Sequence, residues 1–184
     1  MKRFALIACA LSMSTPAGAA QWSVDYAKSQ LGFTVVWAKE PFSAAFTGWK
    51  ADIDFDPADL AHARADVSID PASEKSDEPD FDEGLRGALG FDVKKFPAAR
   101  FAATRFTHKS GDDYVAEGTL TIRGIERPVT LPFTLTIKGG EAHMVGKAVI
   151  LRTDFGVGGG PWAKPDPVAH EVTVTVDLLA HRTQ

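Results

Sequence analysis

The chain has 184 residues, the size of one domain or at most two small ones. Apolar residues make up 45% and charged residues 24%, which excludes a disordered chain and a multi-span membrane protein. A net charge of −4 argues against a nucleic-acid partner, and 16 glycines with 11 prolines point to many turns.

The first residues read as an address. Lys2 and Arg3 form a short positive region, Phe4 to Met13 an apolar one, and Ala17-Gly18-Ala19 an A-x-A cleavage site. About 20 apolar residues are needed to span a bilayer, so residues 1–19 are expected to be a cleaved secretory signal and the destination the periplasm. Leu6-Ile7-Ala8-Cys9 looks like a lipoprotein box, but it lies too close to Arg3 to leave a working apolar region. Removing 19 of the 184 residues leaves 165, takes the net charge to −6 with the loss of Lys2 and Arg3, and removes Cys9, the only cysteine. Disulfides, thiol catalysis and cysteine-bound metals are thereby excluded from the exported form. The remaining residues, 20–184, are expected to form one domain.

From Gln21 onward the apolar residues alternate with polar ones, as in strands with one buried and one wet face. The runs are Leu31-Phe33-Val35-Trp37, Ala51-Ile53-Phe55, Ala63-Ala65-Val67-Ile69, Val129-Leu131-Phe133-Leu135-Ile137 and Val172-Val174-Val176-Leu178. Ser110-Gly111-Asp112-Asp113 and Gly139-Gly140 read as hairpin bends. One segment departs from this period. Phe81, Leu85, Ala88 and Leu89 share a helical face that opens at Pro79, carries acidic residues at its start and stops at Gly90. Eight to ten strands, short links and one helix predict an all-β fold, an antiparallel barrel or sandwich. A barrel of about eight strands is wide enough to be filled by side chains or to hold one small ligand. Periodicity leaves open which of the two applies.

Few residues suggest catalysis. The five histidines show no metal-ligand spacing, and Gly-x-Ser-x-Gly is absent. Asp52, Asp54 and Asp56 share the strand face opposite Ile53 and Phe55, so they are expected to face solvent. The acidic run from Asp77 to Glu83 lacks calcium-loop spacing and reads as a solvated helix start. Gly156–Gly160 lacks the lysine of a phosphate loop and reads as a flexible rim loop, with Trp162 capping a mouth or covering an edge. Arg123 and Arg152 need partners; Asp154 is the nearest candidate for Arg152, and a ligand head group is the alternative.

Several blocks carry a resemblance. Trp22-Ser23-Val24-Asp25 with Ser29-Gln30-Leu31-Gly32-Phe33, Phe91-Asp92-Val93-Lys94-Lys95-Phe96-Pro97, Gly118-Thr119-Leu120-Thr121-Ile122-Arg123-Gly124 and Leu151-Arg152-Thr153-Asp154-Phe155-Gly156-Val157-Gly158 occur in this order. Together they resemble the YceI-like family of exported polyisoprenoid-binding proteins, over the whole chain after the signal. Gly90 departs from the pattern, standing where a bulky aromatic is expected. The segment Gly158–Trp162 is similar to a subgroup that also occurs fused to membrane cytochrome domains.

The resemblance implies a lipocalin-like antiparallel β-barrel with one short helix lidding it. It also implies non-enzymatic binding, storage or transport of a polyisoprenoid, an isoprenoid quinone or another amphiphile in the periplasm. No catalytic residue, metal or cofactor is expected beyond the lipid itself. The expected lining is Phe33, Val35, Trp37, Phe46, Ile53, Phe55, Leu120, Phe133, Leu135, Phe155 and Trp162, with Leu85 and Leu89 lidding one end. The alternatives are an accessory module that contacts a membrane cytochrome or quinone system, and a barrel-scaffold enzyme acting on a lipid. The sequence leaves the oligomeric state open, a homodimer included.

Overall fold

The alternating runs become strands in a computed structural model that describes residues 20–183. The expected signal, with Cys9, lies outside the described residues. Among the described residues, the strands are β1 (Gln21–Val24), β2 (Gln30–Trp37), β3 (Glu40–Phe46), β4 (Trp49–Asp54), β5 (Arg64–Ile69) and β6 (Glu74–Lys75), followed by helix α1 (Pro79–Arg86). Then come β7 (Ala99–Ser110), β8 (Asp113–Ile122), β9 (Ile125–Lys138), β10 (Glu141–Leu151) and β11 (Val168–Arg182).

These segments close into one antiparallel barrel of eight staves. Three staves are kinked and each consists of two segments. β11 pairs with β1 near its end and with β2 along the rest, so β1 and β2 form one stave. β3 and β4 form the next, pairing with β2 and β1 in turn. β5 and β6 form the third, pairing with β4 and β3. The second and third staves kink side by side, where Ser73 receives Gly48 N–H on its hydroxyl at 2.8 Å. The remaining five staves are single strands, and β11 pairing with β1 closes the ring.

The bends follow the glycines at two of the expected places. Gly111 (φ +52°) turns β7 into β8, and Gly139 and Gly140 (φ +58° and +85°) turn β9 into β10. A third hairpin, between β2 and β3, turns on Ala38 and Lys39 at φ +50° and +73°. Nothing in that dipeptide marks a left-handed bend, because such turns favour Asn and Gly.

Two places in the wall are not hydrogen-bonded. β9 and β10 pair only from Lys138 to Phe133 and from Glu141 to Gly146. Beyond that the strands part, and Phe155 packs between them against Val129 and Ile150. Pro128 and Pro132, which have no N–H to donate, lie on this unpaired length of β9. The second place lies between β6 and β7, where residues 76–98 replace a strand and carry α1.

Helix α1 is shorter than its apolar pattern predicts. It ends at Arg86, with Gly87 as its cap, and Ala88 and Leu89 belong to the turn beyond. Gly84 weakens the helix from within. The chain then folds back so tightly that a Cβ on Gly90 would lie 2.1 Å from the Leu85 carbonyl oxygen. A side chain larger than hydrogen does not fit there, which accounts for glycine at this position.

Candidate functional site

The inward side chains of the staves do not fill the barrel. They surround a cavity of about 160 Å³. Every lining residue is apolar, and they come from all eight staves, for example Leu31, Ile53, Val67, Phe101, Leu120, Phe133, Met144 and Val176. Five alanines, Ala65, Ala116, Ala142, Ala148 and Ala180, are among them and leave the space. Ile53, Val67, Phe101, Val129, Met144 and Val176 point inward yet are only half-buried, because they border the cavity. The question left open by periodicity is thus decided in favour of a hollow barrel.

Aromatic side chains pack together beside the cavity. Phe55 meets Phe106, Tyr114 and Phe133 edge-on with centroids 5.4–6.3 Å apart, and Tyr114 stacks on Phe133 at 5.6 Å. Trp22 donates its indole N–H to the Phe55 carbonyl at 2.8 Å, so the polar atom of this lining residue is satisfied. No other lining side chain except Trp49 has a polar hydrogen to donate. An apolar space of this kind offers water no partners.

A second cavity, of about 260 Å³, is roofed by α1 and lined by Trp37, Phe81, Leu85, Trp162 and Val168, with Asp80, Gly90, Arg152 and Gly158 at its margins. Between the two cavities stand Phe33, Phe46 and Phe91, with centroid separations of 5.8 and 6.0 Å.

The expected lining residues therefore fall into separate groups. Ile53, Phe55, Leu120, Phe133 and Leu135 border the main cavity. Trp37, Leu85 and Trp162 border the second one. Phe33, Val35 and Phe46 belong to the apolar cluster between them. Phe155, 1% exposed, lies in the wall. Leu89 does not lid the main cavity. It is 44% exposed and rests on the glycine loop, where Gly158 N–H reaches its carbonyl at 2.7 Å.

Arg152 corrects a second expectation. Its partner is not Asp154, which is exposed. The buried guanidinium donates only to backbone carbonyls: Nε to Ala169 at 2.9 Å, Nη1 to Val157 at 3.0 Å and Gly158 at 3.2 Å, and Nη2 to Val168 at 2.8 Å, with Trp162 and Lys164 also in reach. Burial lowers its pKa, yet a guanidinium stays charged. With its donors spent on carbonyls, Arg152 organises the loop and has none left for a ligand head group. The Gly156–Gly160 loop is accordingly pinned around Arg152 and not free. A Cβ on Gly158 (φ +83°) would lie 2.0 Å from Nη1. Arg123 also serves structure: it donates to the carbonyls of Ala88 and Gly90 and lies over the Phe96 ring.

The carboxylates divide in the same way. Asp52 and Asp54 face out and pair with Arg64 at 3.2 and 2.7 Å, and Asp56 faces Arg182 at 3.5 Å. In the acidic run, Asp82 departs from the expected solvated start. It is 6% exposed and accepts from Ser76 N–H at 3.1 Å and from the Ser76 hydroxyl at 2.5 Å. It faces Glu74, which is fully buried. Desolvation first, and then Asp82, push the Glu74 carboxyl up to about 7. The sequence contained no signal for Glu74, which sits in a two-residue strand. No group of three or more metal-ligating side chains occurs among the described residues.

The same architecture occurs in known proteins. BcnA of Burkholderia cenocepacia matches with a TM-score of 0.83 and 32% identity, over 85% of this chain and 99% of its own. A polyisoprenoid-binding domain from Saccharophagus degradans matches with a TM-score of 0.71 at 14% identity, over 89% of this chain and 99% of its own. A Shewanella denitrificans protein described as a UPF0312 protein is 27% identical over 141 residues, 73% of this chain and 71% of its own length. The family model of the YceI-like domain matches residues 22–180, from β1 almost to the end of β11. The closing strands of the barrel are thus the limits of the match, and the chain belongs to the YceI-like domain family.

Proposed function

We propose that this protein binds a long, thin apolar lipid, a polyisoprenoid or the tail of an isoprenoid quinone, inside its barrel, and carries or stores it in the periplasm. The observation that carries the reading is the main cavity, with apolar side chains from every stave and no carboxylate, hydroxyl, imidazole or amine among them. Burial of apolar surface supplies the affinity, about 25 cal/mol per Å² before the cost of association. The lining contains no acid, base or nucleophile, which supports binding over turnover. The Saccharophagus degradans domain, described as polyisoprenoid binding, shares the fold and supports the ligand class. The apparent signal at residues 1–19 supports the compartment.

Native mass spectrometry of protein purified gently from its host tests the reading. The expected result is a mass above that of the polypeptide, with an extractable prenyl lipid accounting for the difference. Only the polypeptide mass, with no gain when prenyl lipids are added, would overturn it.

A further inference from the structure

We propose that α1 is a proton-controlled lid: the carboxyls of Glu74 and Asp82 share one proton while the helix lies on the barrel, and loss of that proton releases the helix. Glu74 pairs with Phe46, which pairs in turn with Leu31, so the three side chains share one inward-facing row. Glu74 is 0% exposed, and among the described residues no N–H or hydroxyl donates to either of its oxygens. A bare carboxylate is not stable in that position, whereas a protonated carboxyl facing an ionised one is.

Asp82, opposite it on α1, is the partner that keeps its charge. Both donors of Ser76 favour the ionised form, and its pKa is held below the usual carboxylate value although burial acts the other way. Among the described residues, the cation that reaches both acids is Arg86, one turn further along α1. Its Nη2 lies 3.9 Å from an oxygen of each acid and donates to the Glu74 carbonyl. From β3 the facing residue is Phe46, and Lys75 in the same short strand is exposed. One proton and one cation thus balance two carboxyls. Two carboxylates with one cation do not balance.

The rest of α1 is held by few contacts. Phe81 packs on Phe42 at 3.9 Å and on Trp37 at 4.9 Å, and Leu85 joins the same cluster. A helix of eight residues is not stable alone, so its docking decides whether it forms. Its release would uncover the second cavity and the Phe33–Phe46–Phe91 partition behind it. Because Glu74 takes up its proton as pH falls through about 7, the lid is shut below that pH and loosened above it. The role of the lid in lipid exchange rests on the lipid-binding reading; the movement of the helix does not.

Amide hydrogen exchange of the purified protein, corrected for the intrinsic pH dependence and referenced to β8, tests the lid at pH 5.5 and 8.5. The expected result is that protection of residues 79–86 falls about tenfold or more at the higher pH. In Glu74→Gln, which has no acidic proton to lose, protection stays. Protection independent of pH in the unaltered protein, or an equal loss in Glu74→Gln, overturns the proposal. Should Glu74→Gln fail to fold, Asp82→Asn is read instead: removal of the facing carboxylate must shrink the pH effect, and an unchanged effect overturns the proposal. Release of a fluorescent farnesol analogue, followed at the same two pH values, separates the two readings. If the probe does not bind, the lipid reading fails while the exchange result stands. If it binds but leaves at one rate at both pH values, the lid does not gate the site.

Discussion

Nη1 of Arg152 donates to the carbonyl oxygen of Val157 across 3.0 Å and so closes the turn that leads from β10 into the glycine loop. Four further residues beyond that loop or within it, Gly158, Trp162, Lys164 and Val168, turn their carbonyls to the same guanidinium. The loop has no strand partner, so one side chain takes the place of a hydrogen-bond ladder. Replacing Arg152 with Met leaves the Val157, Gly158 and Val168 carbonyls buried without this donor. A loss of about 3 kcal/mol or more in unfolding free energy is expected by urea titration.

Arg123 combines two roles that a pair of substitutions separates. Its backbone is left-handed (φ +53°), and its side chain ties down the Ala88 and Gly90 carbonyls. Both Arg123→Gly and Arg123→Ala lose the side-chain bonds, but glycine relieves the left-handed backbone strain that alanine keeps. The alanine variant is expected to be the less stable by about 1 kcal/mol, measured by thermal unfolding under identical conditions.

Filling the barrel should remove binding without unfolding it. Ala116 and Ala148 line the main cavity on β8 and β10. Phe at either position occupies the space a lipid would use, at a stability cost of about 1–3 kcal/mol. The expected result is a tenfold or greater loss of affinity for a prenyl lipid by fluorescence titration. Val149→Ala, on the outer face at 64% exposure, leaves binding unchanged.

Global stability should carry the signature of Glu74. Its carboxyl titrates near 4.5 when unfolded and near 7 when folded, so the folded state binds the extra proton between those values. Stability is therefore highest below the lower value, falls as pH rises through the window and is flat above it. From this group the fall is up to about 3 kcal/mol, read from urea midpoints at pH 4.5, 6 and 8. In Glu74→Gln this component of the pH dependence disappears.

Much of the barrel was legible in the residues. The runs at Leu31–Trp37, Ala63–Ile69, Val129–Ile137 and Val172–Leu178 alternate because each strand has one wet face, and they became β2, β5, β9 and β11. Gly111 and Gly139-Gly140 marked their bends because only glycine adopts positive φ without cost. The Ala38-Lys39 bend gave no such mark, since its left-handed residues are imposed by the pairing of β2 with β3. The end of α1 was misplaced because the apolar spacing continues to Leu89, whereas the chain is turned by the close approach of Gly90 to Leu85.

The site was legible only in part. Ile53, Phe55, Phe133 and Leu135 lie in alternating runs and Leu120 in a block that carries the resemblance; strand parity assigns a side to a residue but no neighbour across the barrel. Arg152 pointed to a need for partners, but carbonyls 5 to 17 residues away carry no sequence label. Glu74 showed nothing, because its meaning depends on Asp82 being folded back upon it.

The sequence by itself determined the all-β class, the alternation of faces, two of the bends and the family resemblance, all of which are local or periodic properties of the chain. Only the tertiary structure decided that the barrel is hollow, that aromatic packing divides its interior in two, and that a buried acid pair lies under the helix. Those depend on which side chains meet across eight staves, where the sum of large and small residues sets the space left over.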